Sequence, residues 1–323
     1  MPPKRRRTSE STPSNDDGNP TGPRPHDKLW FSDGTIVLAT DVHLYRVHKG
    51  MLAKYSTVLN DMFEMPTGES NSECWEDVPI VEMVGDKDEE VSILLKALYE
   101  RNFRDTLRGC KTTELCSLLL ISTKYDFLEV QGDVVQFLES LFPSKFEDFV
   151  PSSVDWGSMN ASDLFELLAV AHRCETLSFL PLIYYFCAAL LVKEAPEGLR
   201  IVPNECMISL MQGRDWLCWL SQYFIRLSLP SPMADGQYVC AWRPSSCLEH
   251  FRAKLNERYP AGQHRFVFFL SIPPHGILGL QQNGICGNCA SRYILKVDEF
   301  KKAAWKKLPE VFLGKKWEEL VRK

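Results

Sequence analysis

The stretch Ser32-Asp33-Gly34-Thr35-Ile36-Val37-Leu38-Ala39-Thr40-Asp41, resumed by Leu44-Tyr45-Arg46-Val47-His48-Lys49-Gly50, decides the fold. β-Branched and apolar residues cluster from Thr35 to Ala39, the polar pair Thr40-Asp41 interrupts them, and Leu44 to Val47 continues in the same style. Two short extended runs across a polar turn predict a β-hairpin. His48-Lys49-Gly50 ends the second strand. Met51, Leu52, Tyr55, Leu59, Met62 and Phe63 then recur near helical spacing, and Ser56 is placed to cap the second of two short helices. Pro66 and Gly68 close the pair.

Beyond that pair, the polar loop Thr67 to Asp77 has no periodic pattern, whereas Val78, Ile80, Val81, Met83 and Val84 suggest another strand. Asp88-Glu89-Glu90 places acids at the positive end of a helix. Val91, Leu94, Leu95, Leu98 and Tyr99 give that helix one apolar face. A further helix is expected from Thr112 or Thr113, with Leu115, Leu118, Leu119 and Ser122 on one side. Another is expected through Val134, Val135, Leu138, Leu141 and Phe142, stopped by Pro143. Before the hairpin, residues 1–27 are rich in Pro, Ser, Thr, Asn, Asp and Gly, the composition of a disordered polar tail. Within it, Lys4-Arg5-Arg6-Arg7 reads either as a solvated charge run or as a nuclear localisation signal.

The segments Ser32 to Leu38, Tyr45 to Leu52 and Ser56 to Phe63, in this order of elements, resemble the BTB/POZ family, especially its many fungal members. Leu94 to Tyr99 and Leu118 to Leu128 extend the likeness, with Lys124-Tyr125 in the place of the family's Ala-x-Lys-Tyr segment and Ser122 standing for the alanine. The resemblance implies an α+β fold over residues 28–150, a small β-sheet packed on a helical cluster. It also implies a domain that pairs with itself or with other BTB proteins, and in many relatives docks target proteins onto a cullin scaffold or a transcriptional complex. In the family, the acid matching Asp33 lies near the dimer pocket. An Asp before Gly is equally a good turn former, so interface and turn both stand at this point. His48 reads as a satisfied structural group rather than a catalyst. Cullin recruitment in the family uses a hydrophobic-x-acid motif, and the matching Glu114-Leu115-Cys116 departs from it at both ends. That departure weighs against a ligase adaptor.

Residues 150–160 read as a linker, and residues 160–323 as a mostly α-helical region. Leu164, Phe165, Leu167, Leu168, Val170 and Ala171 start a helix that Ser162 is placed to cap. Its partner runs from Pro181, and Leu182 to Val192 is apolar on all sides. Such a helix is either buried all round or covered by another subunit, and this excess favours an oligomer. Farther on, Cys286-Gly287-Asn288-Cys289 forms a Cys-x-x-Cys turn, and Cys240, Cys247 and His250 offer further soft ligands. Unpaired thiols are the plain reading of the four cysteines, and a tetrahedral zinc site that also draws on His250 is the sharper one. The turn-rich setting around Asn283-Gly284 favours metal over a redox pair. Last, Phe300, Ala304, Trp305 and Leu308 line the apolar face of a closing helix whose outer face is assigned Lys301, Lys302, Lys306 and Lys307, with Trp317 and Leu320 in a following segment. A solvated helix packed through its tryptophans accounts for this pattern better than nucleic-acid binding.

The totals agree with an ordinary soluble chain of 323 residues. Hydrophobic residues make up 45%, and 37 basic residues face 42 acidic ones, for a net charge of −5. That balance supplies no overall field to attract a phosphate backbone. The N-terminus lacks the apolar stretch of a secretory signal, so a reducing compartment, nucleus or cytoplasm, is expected. No apolar run approaches the ~20 residues of a membrane span. Neither a Gly-rich phosphate loop nor a clustered acid and base is evident, so the chain reads as a non-enzyme whose partners are proteins, with zinc as the one cofactor the sequence raises.

Overall fold

The structure is a computed structural model that describes residues 22–65, 74–150, 160–190, 196–227, 247, 249–250, 253, 270 and 284–320. These fall into two compact units, one drawn from residues 1–49 and 67–88, the other from residues 50–66 and 89–323. The first unit is a mixed five-stranded sheet in the order β1-β3-β2-β5-β4. Strands β2 (Ile36–Ala39) and β3 (His43–Val47) are the expected antiparallel hairpin, with Ile36 opposite Val47 and Ala39 opposite Leu44. Strand β5 (Val78–Glu82) runs parallel to β2.

Two strands lie where the sequence suggested none. Strand β1 (Arg24–Trp30) starts inside the stretch assigned to the polar tail and pairs parallel with β3. It buries little besides Leu29, so its order comes from backbone pairing, which leaves no apolar pattern to read. Strand β4 (Cys74–Trp75) is a two-residue edge within the polar loop, paired antiparallel with β5.

The second unit is helical. Helix α1 (Lys49–Tyr55) begins at its border, and α2 (Thr57–Glu64) is capped as expected, the Ser56 hydroxyl accepting from the Leu59 N–H at 2.9 Å. There follow α3 (Asp88–Tyr99), α4 (Phe103–Thr106), α5 (Thr112–Lys124) and α6 (Leu128–Leu141). On α5, Leu115, Leu118, Leu119 and Ser122 are all buried, as their spacing predicts. On α3, Ile93 joins Val91, Leu94 and Leu95 in the core, while Leu98 and Tyr99 are half-buried.

The helices after residue 160 pack in the same unit. Helix α7 (Ala161–Arg173) lies against α5 and α8 (Leu180–Ala189). Its cap is Asn160 rather than Ser162: the Asn160 side chain accepts from the Asp163 N–H, and Asp163 accepts in return from the Asn160 N–H, both at 3.0 Å. A reciprocal pair satisfies two donors at once, which Ser162, already inside the helix, does not do. Helix α9 (Pro196–Ile201) also packs on α7; every residue of α8 is buried, and its neighbours are α7, α10 (Asn204–Leu227) and α11 (Gly287–Leu313). The chain itself covers this helix, so its apolar excess no longer argues for a second subunit. Arg214 of α10 donates to the carbonyls of Ala188 and Leu190, completing the buried end of α8.

Helix α11 carries Phe300, Ala304, Trp305 and Leu308 on its buried face, as predicted, and exposes Lys302, Lys306 and Lys307. The Trp305 indole donates to the Ser144 carbonyl at 2.9 Å, and Trp317 donates to the Trp305 carbonyl at 2.9 Å. Lys301 corrects the sequence reading. It is only 3% exposed, and its ammonium donates to the Leu270 carbonyl at 3.4 Å. It directly follows Phe300, at the margin of the apolar stripe, and a long aliphatic stem allows burial there.

Candidate interaction surface and cysteine cluster

In the sheet unit, the polar side chains of the hairpin converge on Asp88, the first residue of α3. Tyr45 donates to Oδ1 at 2.8 Å, Thr40 donates to the same oxygen, and the His43 imidazole Nδ1 lies 2.8 Å from Oδ2. His26 of β1 stacks on Tyr45 and meets His43 edge-on. Burial alone would raise the Asp88 carboxyl, but hydrogen bonds from Thr40, His43 and Tyr45 outweigh it and hold the group below the usual carboxylate range. Both oxygens are thus occupied, which suits a clamp on the hairpin rather than a group exchanging protons with a substrate. The sequence marked Asp88 merely as a helix-start acid, because its three partners lie more than forty residues away.

The residues singled out for an interface sit on the same unit. Asp33 is 80% exposed, and its Oδ1 lies 3.3 Å from Nε2 of His48. The hydrogen bond from His48 is the main influence lowering the Asp33 carboxyl. His48 therefore has a polar partner that the sequence did not reveal, and it fits the structural role expected of it. The turn before β2 is closed by the Gly34 N–H donating to the Phe31 carbonyl at 2.9 Å.

In the helical unit, Ser56 has a second task besides capping: its hydroxyl donates to the Tyr125 carbonyl. Thr57 donates to Asp126, whose φ of +56° marks the turn after α5. The segment Lys124-Tyr125 is in this way pinned to the α1–α2 pair. Of the three residues at the cullin-motif position, Leu115 and Cys116 are 3% and 1% exposed. Burial pushes the Cys116 thiol far up, so it stays neutral. Glu114 is spent within the chain, accepting from the Lys111 N–H at 2.8 Å.

Three of the five candidate metal ligands come together. The Sγ atoms of Cys247, Cys286 and Cys289 all lie within 4.8 Å of one another, and all three residues are buried. Among the described residues they form the one cluster of three or more potential metal-binding side chains. The Cys286 N–H points at the Cys247 sulfur, 3.4 Å away. Cys286 is the N-cap of α11 and Cys289 lies in its first turn. His250, exposed, has its imidazole against Gly284: a Cβ on that glycine would lie 2.7 Å from Cδ2 and 2.9 Å from Nε2. Cys240 and the basic cluster Lys4 to Arg7 lie outside the described residues.

A small mixed sheet and a helical cluster define an α+β domain. Residues 26–142 match the BTB/POZ domain, so the chain contains a domain of that family, and BTB/POZ domains are protein-interaction modules rather than enzymes in general. No curated protein and no solved structure matches the chain.

Proposed function

We propose that this chain, a BTB/POZ protein of the fungal type, is a non-catalytic adaptor or scaffold that oligomerises through residues 28–150, with itself or another BTB protein, and brings target proteins together in the nucleus or cytoplasm. The match of residues 26–142 to the BTB/POZ domain carries this reading. Commitment of the Asp88 cluster to hairpin structure supports the absence of catalysis. A cullin scaffold is the less favoured partner, since Leu115 and Cys116 are buried and offer no anchor. A second reading, a nuclear and zinc-stabilised transcription or chromatin regulator dimerising through the same domain, is favoured by the cysteine cluster.

Sedimentation velocity on the full chain tests the main reading. A dimer or larger species at micromolar concentration is expected, weakened by Asp33→Asn if the exposed acid lies at the interface. A monomer up to roughly 100 μM would overturn self-association, because a stable interface of standard size holds well below that concentration. Imaging a variant with Lys4 to Arg7 neutralised separates the two readings: loss of nuclear retention supports the regulator, and unchanged distribution removes it.

A further inference from the structure

We propose that Cys247, Cys286 and Cys289, completed by His250, form a structural zinc site that staples residues 247–250 to the N-terminal end of α11. This inference does not rest on the BTB/POZ reading. It starts from how the sulfurs are shared. Three mutually adjacent thiols cannot all be satisfied by a disulfide, which joins two and strands the third. One tetrahedral cation satisfies all three. With zinc–sulfur bonds of about 2.3 Å, sulfurs in a tetrahedron stand roughly 3.8 Å apart, inside the 4.8 Å limit of this cluster.

The cluster lies at the start of a long helix. Cys286 and Cys289 occupy the N-cap and first turn of a 27-residue helix, where the partial positive charge of free N–H groups lowers the cost of an anionic sulfur. The Cys286 N–H aimed at the Cys247 sulfur is the kind of donor that supports a metal-bound thiolate from outside the coordination shell.

His250 is assigned as the fourth ligand by its spacing from Cys247; its ring nitrogens lie outside the group of three sulfurs, so the imidazole turns toward them on binding. Cys247, Glu249 and His250 are helical, so residues 247 and 250, three apart, share one helical face. The imidazole rests on Gly284, two residues before Cys286. Gly284 has a φ of +81°, a conformation that favours glycine, and a side chain there would strike the ring. Cys286-x-x-Cys289 and Cys247 thus meet at one point, with His250 one helical turn on from Cys247. Three thiolates and an imidazole select a soft, tetrahedral ion, and with all four positions filled by protein the role is structural rather than catalytic.

Metal analysis of the purified full chain is the first test, with about one zinc per chain expected. Replacing zinc by cobalt should give a thiolate-to-cobalt charge-transfer band and intense visible bands of tetrahedral cobalt, a readout on the unmutated chain that needs no variant to fold. The pair Cys286→Ser with Cys289→Ser should reduce bound zinc at least about tenfold, and His250→Ala should keep the sulfur band while surrendering metal to a chelator at least about tenfold faster. A folded chain that holds less than about 0.1 zinc and develops no cobalt band on titration overturns the site. So does an intact mass lower by two hydrogens that reduction restores, when peptide mapping places the disulfide at Cys286–Cys289. A His250→Ala variant indistinguishable from the parent overturns the four-ligand site as proposed.

Discussion

Asp88 and Lys301 are both ionisable residues taken largely out of water, and the protein treats them in opposite ways. Around Asp88 the hairpin assembles two hydroxyls and an imidazole on one carboxylate, and the charge is kept. Around Lys301 there is a carbonyl acceptor, Leu270, and the neighbouring Asp298, whose field opposes neutralisation without overcoming the burial. The ammonium is pushed down to about 8. The sheet unit therefore uses its buried charge to fix the hairpin, whereas the ammonium on α11 is driven toward its neutral form by burial. Burial penalises both charges; hydrogen bonds outweigh it at Asp88, and it prevails at Lys301.

The largest expected effect breaks the packing of α10 on α11, the helix that carries Lys301. Gly213 of α10 faces Phe312 of α11, and a Cβ there would lie 1.8 Å from the Phe312 Cε1 atom. Phe312 is also stacked on Tyr184 of α8, with ring centroids 5.4 Å apart, so it has little freedom to retreat. Gly213→Ala should destabilise the chain by about 3 kcal/mol or more, at the upper end for overpacking. Urea unfolding followed by far-UV circular dichroism measures it; a loss below about 1 kcal/mol would show that α10 and α11 separate cheaply.

Asp88→Asn tests the other side and should cost about 2 kcal/mol, since hydrogen bonds to an ionised group are among the stronger ones and an amide cannot accept on both sides. The pH dependence sharpens the result. Because the folded carboxyl lies below its unfolded value of about 3.9, the stabilisation is present above that value and lost as pH falls through the folded one. The gap between the parent and the Asn variant should narrow in acid. A gap independent of pH would show that the carboxylate charge contributes nothing.

How far the sequence discloses such centres depends on whether the deciding contact is local. Strand alternation across Ile36 to Val47, the Ser56 cap and the buried spacing of Leu115, Leu118, Leu119 and Ser122 are properties of neighbouring residues, and each was legible. Strand β1 was not, because a polar edge held by backbone pairing has no side-chain signature. In the metal cluster, Cys286-x-x-Cys289 could be read from spacing, and Cys247 and His250 could be named as companions. That the Cys247 sulfur meets the other two is a fact of tertiary packing. Lys301 fails for the same reason: helical periodicity puts it beside three exposed lysines, and what buries it comes from elsewhere in the chain, with Leu270 supplying its acceptor.

Lys301→Met is the smallest of these effects and the one with the opposite sign. Methionine keeps the aliphatic length and sheds the charge, so the variant should gain about 1–2 kcal/mol near neutral pH, after discounting for partial solvation and for the lost bond to Leu270. The sign follows from proton counting. Between about 8, the folded value, and about 10.5, the ordinary one, the unfolded chain binds more protons at this site, so its contribution to stability rises with pH. Below that window the ammonium is charged in both states and the full penalty applies; above it, the penalty is gone. The buried thiols of Cys116 and Cys187 act in reverse, since they keep protons in the folded state that the unfolded chain releases. The parent's own pH curve therefore mixes both trends, and the difference between parent and variant isolates Lys301. That difference should be greatest below pH ~8 and close as pH passes ~10.5. A difference that stays constant across the window would mean the lysine is solvated, and with it the contrast to Asp88 would fall.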